Sequence, residues 1–282
     1  MMFSFPIGVM LESFRLPLDQ ALACAQKIGA RGIQVYAVRG PVTPETMDAQ
    51  ARRDFLAKVK DHGLVISALC GDLGHGFGKA ELNPSLIERS KRILDLAKDL
   101  ETDSVTTHIG VVPGESTHPR YAVMQDACGE LAAYADSLQA HFAIETGPEP
   151  SAVLKGFLAG LHSRGVAVNL DPANLVMVTG DDPVQAVYNL RDYIVHTHAK
   201  DGRKLFDKDP EIIYGIAPDD GIVTDAAFIE LPLGKGDVDF PRYLAALDDV
   251  GYRGFLTIER EVGGNPYADI ELAVAFLQEK LR

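Results

Sequence analysis

The stretch Ile194-Val195-His196-Thr197-His198-Ala199-Lys200-Asp201 decides how the rest of the chain is interpreted. Two β-branched residues lead into two histidines at a spacing of two, the spacing at which side chains of a strand share one face. His196 and His198 are therefore predicted to point the same way from the end of an apolar strand. Burying two imidazoles costs free energy unless they find partners, and a divalent metal ion is one such partner.

Short apolar runs and longer amphipathic segments alternate along the whole chain of 282 residues. We assign eight strand-then-helix units, from a first strand at Ile7–Met10 to a last strand at Gly254–Glu259. Eight such units in this length favour the α/β class, as one (β/α)8 or TIM barrel domain over residues 1–282, rather than a doubly wound sheet. The connection at about 202–239, between strand seven and helix seven, is long and predicts an insertion with a lid or a small hairpin.

Residues that favour helix termini predict where two of the helices begin. Thr43 is placed as the cap of the second helix, with Asp48 in its first turns. Asn83 is placed as the N-cap of the third helix, and Pro84 as its first residue.

Composition and charge restrict the classes of partner. The chain carries 27 Lys and Arg against 40 Asp and Glu, a formal net charge of −13. This charge argues against nucleic acid and anionic membranes, because binding to either needs a basic surface. Three scattered cysteines without a C-x-x-C pair indicate reduced thiols, and neither a signal peptide nor a long apolar segment is evident. We therefore expect a cytoplasmic enzyme or binding protein.

The predicted strands four to eight each end in a side chain of a type that binds metals. These residues are His108, Glu145, Asp171, His198 and Glu259. In a (β/α)8 barrel the C-terminal strand ends meet at one face and form the active site. Strand ends that simply meet water would also use Lys, Ser, Thr, Asn and Gln. Five metal-binding types in succession therefore favour a shared site.

Four of these residues suit a single divalent ion: Glu145, Asp171, His198 and Glu259. They offer three carboxylates and one imidazole, which favours Mn²⁺, Mg²⁺ or Co²⁺ over a structural zinc site with its preference for thiolates. Open coordination positions would remain for two oxygens of a diol or a hydroxy-ketone.

Five segments carry a resemblance to a known superfamily: Ile144-Glu145-Thr146, Asn169-Leu170-Asp171-Pro172-Ala173-Asn174, His196-Thr197-His198-Ala199-Lys200-Asp201, Leu233-Gly234-Lys235-Gly236-Asp237-Val238-Asp239-Phe240 and Thr257-Ile258-Glu259-Arg260-Glu261. They resemble the xylose isomerase-like TIM barrel superfamily, and within it the sugar phosphate isomerase/epimerase group. The likeness covers almost the whole chain and is strongest from strand five onward. As a set the motifs are specific for the superfamily and say little about the substrate.

The resemblance implies a metal-dependent isomerase or epimerase of carbohydrate metabolism. In the ketose 3-epimerases of this group, the residues matching the four above hold one metal ion, usually manganese. We therefore expect one divalent ion here, Mn²⁺, with Mg²⁺, Co²⁺ and Zn²⁺ as alternatives. The resemblance further implies that Glu145 and Glu259 are the catalytic pair. One removes a proton next to a carbonyl to give a metal-bound cis-enediolate, and the other returns a proton. Return to the opposite face is epimerisation, and return to the neighbouring carbon is isomerisation.

Five further residues are predicted to bind the substrate: His108, Asn174, Lys200, His196 and Arg203. His196 lies one inward position deeper than His198, so support of that ligand is an equal alternative. Two positions depart from the ketose 3-epimerases, because Asn174 stands where a histidine is typical and Arg203 lies only near the place of an arginine. The expected substrate is a small-molecule sugar, and the expected assembly is a homodimer or homotetramer.

Three alternatives use the same residues differently. A lyase or dehydratase on a keto-sugar or an inosose would expel a β-leaving group from the same carbanion. A barrel that only binds a sugar or a metal would have no need of two opposed glutamates. An endonuclease IV-like nuclease needs more histidines, including one where Asn174 stands, and the acidic chain argues against it.

Overall fold

The structure is a computed structural model that describes residues 3–219, 221 and 225–282. Its strands are β1 Ile7–Met10, β2 Gly32–Tyr36, β3 Val65–Cys70, β4 Ser104–Thr107, β5 His141–Glu145, β6 Val166–Leu170, β7 Ile194–Ala199, β8 Asp201–Lys204, β9 Phe228–Leu231 and β10 Leu256–Ile258. Eight of them form a closed parallel barrel in the order β1-β10-β7-β6-β5-β4-β3-β2. The predicted (β/α)8 barrel is confirmed.

Helices connect the barrel strands. They are α1 Leu18–Lys27, α2 Ala49–Asp61, α3 Asn83–Asp99, α4 Pro119–Ser137, α5 Ser151–Ala159, α6 Pro172–Asn174, α7 Pro183–Leu190, α8 Pro210–Ile213, α9 Phe240–Asp249 and α10 Pro266–Lys280. A 3-10 helix at Leu11–Phe14 follows β1, and a π-helix at Leu175–Thr179 continues α6. None of the helices in the described residues is long and apolar enough to cross a membrane.

The barrel strands are apolar because both of their faces are covered. All five residues of β6 are buried, as are all four of β1 and of β4. This is the pattern expected for parallel strands with helices outside and packed side chains inside. The largest fully buried side chains include Phe142, Phe157 and Tyr243. The strands whose ends carry the site are therefore anchored in a packed core.

The second helix begins later than predicted. The carboxylate of Asp48 accepts the Ala51 N–H at 2.8 Å and so caps a helix that starts at Ala49. The hydroxyls of Thr43 and Thr46 lie 2.9 Å apart and close a separate turn. Thr43 is wrong as the cap because its side chain is used locally, before the helix.

Asn83 is also wrong as an N-cap. It is the first residue of α3, and the preceding residue, Leu82, is the N-cap. The Asn83 amide donates to the carbonyl of Phe77 at 3.1 Å instead of accepting a helix N–H. The Asn83 side chain thus binds the loop between β3 and α3 at Phe77.

The segment between β7 and α9 forms a hairpin. Strands β8 and β9 pair antiparallel, and α8 lies between them in the chain. Asp201 fastens the base of this hairpin: Oδ2 accepts the N–H groups of Gly234 and Gly236 at 2.9 Å, and Oδ1 accepts those of Gly202 at 2.9 Å and Val238 at 3.1 Å. One carboxylate therefore binds both ends of the hairpin segment.

Candidate active site

Four predicted residues meet at the C-terminal face of the barrel. Glu145 ends β5, Asp171 and Glu259 directly follow β6 and β10, and His198 is the second-last residue of β7. All four are buried. One donor atom of each lies within 4.8 Å of the other three. We call Glu145, Asp171, His198 and Glu259 the carboxylate–histidine cluster.

A nitrogen of His198 lies at the middle of the cluster. Its Nδ1 is 3.2 Å from Asp171 Oδ2, 3.4 Å from Glu259 Oε2 and 3.6 Å from Glu145 Oε1. Burial alone would lower the pKa of His198, but the charges of Glu259 and Glu145 outweigh it and raise the pKa well above its ordinary value. A buried group of three carboxylates needs such positive charge, which either a proton or a metal ion supplies.

The other nitrogen of His198 is held by a residue from the opposite part of the barrel. Nε2 lies 2.9 Å from Gln34 Oε1, and the Gln34 amide donates to Thr106 Oγ1 at 2.8 Å. An acceptor at Nε2 favours a proton there and leaves the Nδ1 lone pair for the cluster, as a metal-ligating histidine requires. Sequence reasoning missed Gln34. Its signal was a lone amide between apolar residues of an otherwise buried strand.

His196 lies beneath the cluster and is buried. Its Nδ1 bonds Asn169 Oδ1 at 2.9 Å, and its Nε2 lies 2.9 Å from Thr257 Oγ1. Burial and then the charge of His198 lower its pKa to about 3, so the ring is neutral. Asn169 in turn donates to Glu145 Oε2 at 3.0 Å. The structure thus places His196 below the cavity, where it orients Asn169, and does not bring it to the cavity wall.

Glu145 is surrounded by donors. The Asn174 amide donates to Glu145 Oε1 at 3.1 Å, and His108 Nε2 lies 3.4 Å from the same oxygen. Burial would raise the pKa of Glu145, but His108 and His198 hold it well below its ordinary value. Burial would likewise lower the pKa of His108, but Glu145 raises it to about 9. The pair is therefore a carboxylate beside an imidazolium.

Asn174 owes its position to Asp171. Oδ1 of Asp171 accepts the Asn174 N–H at 2.9 Å and caps α6, which leaves Oδ2 for the cluster. A side chain at residue 147 would meet the Asn174 side chain, since an added Cβ would lie 2.4 Å from Asn174 Cβ; this residue is Gly147, with φ of 137°. The segment from Asn169 to Asn174, one of those that carry the family resemblance, therefore also contains the beginning of α6.

Lys200 is a buried cation at the other side of the cluster. Its Nζ lies 2.9 Å from Glu259 Oε2 and 2.5 Å from Glu261 Oε2. Burial would lower the pKa of Lys200, but Glu259 and then Asp171 raise it well above its ordinary value. The ammonium is therefore charged and shared by two carboxylates.

Arg203 is not brought to the site. It lies on β8, where the hairpin leaves the barrel, and its guanidinium bonds Asp237 at 2.8 Å. Its side chain is about half exposed, at 49%. Arg203 is not among the residues that line the cavity, and its predicted substrate contact stays a prediction.

A cavity of about 590 Å³ borders the cluster, and its wall includes Glu145, Glu259, His108, Asn174 and Lys200. The hairpin segment also contributes to the wall, with Tyr214 next to α8 and with Phe228 and Ile229 of β9. The Tyr214 ring packs on His108, with their centres 5.5 Å apart. An ion pair between Arg120 of α4 and Glu211 of α8 fastens this part of the hairpin segment to the barrel. Sequence reasoning missed Tyr214, which no local pattern distinguishes.

The donor set fits a divalent metal ion. Three carboxylates and one imidazole converge in a buried place, and Gln34 Oε1 lies 2.9 Å from the other nitrogen of the imidazole. Such oxygen-rich sets are typical of Mn²⁺, Mg²⁺ and Co²⁺ sites. The cluster can therefore bind a divalent metal.

The sequence matches a family model described as "Xylose isomerase-like TIM barrel" over residues 22–280. The chain belongs to this family. Comparison of this xylose isomerase-like barrel with curated proteins gave no match.

Solved structures similar to this xylose isomerase-like chain share its fold over nearly the full length. A xylose isomerase domain protein from Planctomyces limnophilus is 25% identical, with a TM-score of 0.79 and coverage of 99% of this chain and 96% of that one. The "probable 3-DHS dehydratase" of petrobactin synthesis from Bacillus anthracis is 18% identical, with a TM-score of 0.72 and coverage of 97% and 99%. A D-psicose 3-epimerase crystallised with D-fructose is 15% identical, with a TM-score of 0.73 and coverage of 98% and 99%.

Proposed function

We propose that the protein is a divalent-metal-dependent isomerase or epimerase of a sugar or keto-sugar. The observation that carries the proposal is the convergence of Glu145 and Glu259 on one cluster and one cavity. They come from β5 and β10, which are separated in the barrel by β6 and β7. A substrate carbon between them would be reached by a carboxylate on either side, which is the arrangement that proton removal and return requires.

Each glutamate has a protonated neighbour that sets its role. Glu145 is held ionised by the charges of His108 and His198, so it can accept a proton. Glu259 accepts a hydrogen bond from the Lys200 ammonium. The first glutamate removes a proton next to the substrate carbonyl, which gives an enediolate, and the second returns a proton. The stereochemistry of the substrate decides which of the two glutamates acts first.

The four cluster residues would hold the metal, and we infer Mn²⁺ with Mg²⁺, Co²⁺ and Zn²⁺ as alternatives. A divalent ion there would supply Lewis-acid stabilisation of the negative charge that develops during proton removal. Asn174 and His108 orient Glu145 from the outer side. Asn169 donates a hydrogen bond to the other oxygen of Glu145, and His196 in turn bonds Asn169.

A lyase or dehydratase on a keto-sugar or inosose is the second candidate. The specific observation in its favour is His108, whose pKa of about 9 keeps a proton at the cavity wall. That proton could pass to a departing hydroxyl, so the carbanion would lose water instead of regaining a proton. The dehydratase named above shares the fold.

The cavity and the charge of the chain support a small-molecule substrate. A net charge of −13 argues against nucleic acid and anionic membranes as partners. We retain a cytoplasmic location and a homodimer or homotetramer as predictions.

Metal analysis and solvent deuterium exchange test the proposal together. We expect the purified protein to bind Mn²⁺, Co²⁺ or Mg²⁺ and to exchange deuterium into a ketose or keto-sugar. Glu145→Gln and Glu259→Gln should each abolish exchange, whereas Glu271→Gln, on the exposed side of α10, should not. Exchange retained in either active-site variant would contradict the two-glutamate mechanism. A product that lacks one water would establish the lyase instead.

A further inference from the structure

We infer that the substrate is a neutral, unphosphorylated keto-sugar that carries a large apolar substituent, in other words a glycoside with an apolar aglycone. This inference rests on the proposed function, because the sugar carbonyl is placed at the carboxylate–histidine cluster. The substituent would then pack against apolar side chains of the cavity wall.

The size of the cavity supports a substrate larger than a free sugar. Its volume is about 590 Å³, in the middle of the roughly 300–1,000 Å³ typical of pockets that enclose drug-sized ligands. A free monosaccharide is smaller than such ligands. Bound at the cluster, it would leave much of the cavity filled with water.

The wall of the cavity carries apolar side chains as well as charged ones. Its apolar members include Met177, Val178, Ile213, Phe228, Ile229 and Val262. Two of these remain about half exposed: Ile229 at 45% and Val262 at 47%. Covering apolar side chains with an apolar group is favourable in proportion to the area removed from water. An aglycone packed on Ile229 and Val262 would gain this free energy, whereas another hydroxylated ring would gain less.

The charges that line the cavity disfavour a phosphate. Beyond the cluster, the wall carries Asp72, Glu230 and Glu261. No arginine lines the cavity within the described residues; Lys200 is already bound to two carboxylates, and the His108 imidazolium lies 3.4 Å from Glu145 Oε1. Arg260, which is near Glu230, is used in ion pairs with Glu230 and Asp269. A phosphate would need unpaired donors of the kind that arginine or lysine offers, so a neutral substrate fits better.

The test compares substituents on one sugar. Glucopyranosides oxidised at a ring carbon would be offered as methyl glycosides and as phenyl glycosides, beside free ketohexoses and their phosphate esters. Deuterium exchange from solvent would be followed with the metal-loaded protein. We expect kcat/KM to be about tenfold or more higher for a phenyl glycoside than for its methyl counterpart, from burial of one ring. Phosphate esters should exchange most slowly.

Substitutions of wall residues test whether the preference for phenyl glycosides arises from the apolar side chains of the cavity wall. Ile229→Ser and Val262→Ser should bring the ratio of phenyl to methyl kcat/KM towards one. Leu272→Ser is the matched control, because Leu272 is 64% exposed on α10 and does not line the cavity; it should keep the ratio.

The possible failures are distinguishable. Equal kcat/KM for phenyl and methyl glycosides, or a preference for phosphate esters, would overturn the inference and leave the proposed proton transfer standing. A phenyl preference that survives both wall substitutions would also overturn it. No exchange with any sugar in the presence of Mn²⁺, Co²⁺ or Mg²⁺ would overturn the proposed function itself.

Discussion

The ammonium of Lys200 lies 2.9 Å from Glu259 Oε2 and joins a buried cation to one of the two proposed catalytic carboxylates. Removing one partner of a buried ion pair leaves an uncompensated charge. We therefore expect Lys200→Met to lower the kcat of deuterium exchange by about 10²-fold, the range seen for acid–base groups. Lys235→Met, at an exposed lysine of the same hairpin segment, is the control. A Lys200→Met enzyme within twofold of the wild type would contradict this role.

Glu149 is expected to make folding stability depend on pH. Its Oε2 accepts the Val112 N–H at 2.9 Å, and its Oε1 is buried without a hydrogen-bond partner in the described part of the chain. Burial raises the pKa of Glu149 from 4.5 to about 8, against the opposing effect of the Val112 hydrogen bond. Between these values the folded chain holds a proton that the unfolded chain has lost. Its stabilising contribution is complete below pH 4.5 and is lost as pH rises through 8, by up to about 1.4 kcal/mol per pH unit.

Urea unfolding at pH 5, 6, 7 and 8 measures this contribution. Glu149→Gln keeps an acceptor for Val112 but cannot ionise. The free energy of unfolding of the variant, minus that of the wild type, should rise between pH 5 and 8 and then level. Parallel pH profiles for the two proteins would show that Glu149 does not titrate in this range.

Metal binding is expected to release a proton from His198. The neighbouring carboxylates raise the pKa of His198 well above its ordinary value, so the metal-free cluster is protonated at neutral pH. A metal must displace that proton, and its apparent affinity should therefore increase as pH rises. Titration calorimetry with Mn²⁺ in two buffers of different ionisation enthalpy measures the release. Identical heats in both buffers would refute it, and His198→Gln should remove the difference along with tight binding.

The ion pair between Arg120 and Glu211 is expected to control substrate affinity. It holds α8 against α4. Tyr214 directly follows α8 and packs on His108 at the cavity wall. Arg120→Met should raise KM several-fold with a smaller change in kcat, because it frees α8 without touching either glutamate. Both side chains of the pair are partly exposed, so the effect on stability should stay within about 1 kcal/mol. Arg191→Met, at a distant exposed arginine, is the control; an unchanged KM for Arg120→Met would argue that α8 is held by other contacts.

The strand ends could be predicted because two simple regularities determine them. Apolar runs of four to six residues mark the strands, and parallel strands of a barrel end at one face. Glu145, Asp171, His198 and Glu259 therefore fall together once the strands are assigned. Lys200 follows from the same alternation, because it is two residues beyond His198.

Contacts between distant strands could not be predicted in the same way. Gln34 reaches His198 only because the barrel closes and brings β2 within reach of β7 across its interior. Tyr214 reaches His108 through the path of a long segment, part of which the Arg120–Glu211 ion pair attaches to α4. The position of Arg203 could not be predicted because it lies beyond the end of β7, where the Asp201 carboxylate accepts four backbone N–H groups and fastens the base of the hairpin.

The carboxylate of Asp201 allows the hairpin segment to be replaced as a unit. Both ends of the segment are hydrogen-bonded to one side chain next to the barrel. These hydrogen bonds do not involve the residues between the two ends. Replacing the hairpin segment then changes the residues that it contributes to the cavity wall, while the carboxylate–histidine cluster on β5, β6, β7 and β10 keeps its geometry. A barrel built this way can change its substrate by replacing one segment, while the residues of the carboxylate–histidine cluster stay as they are.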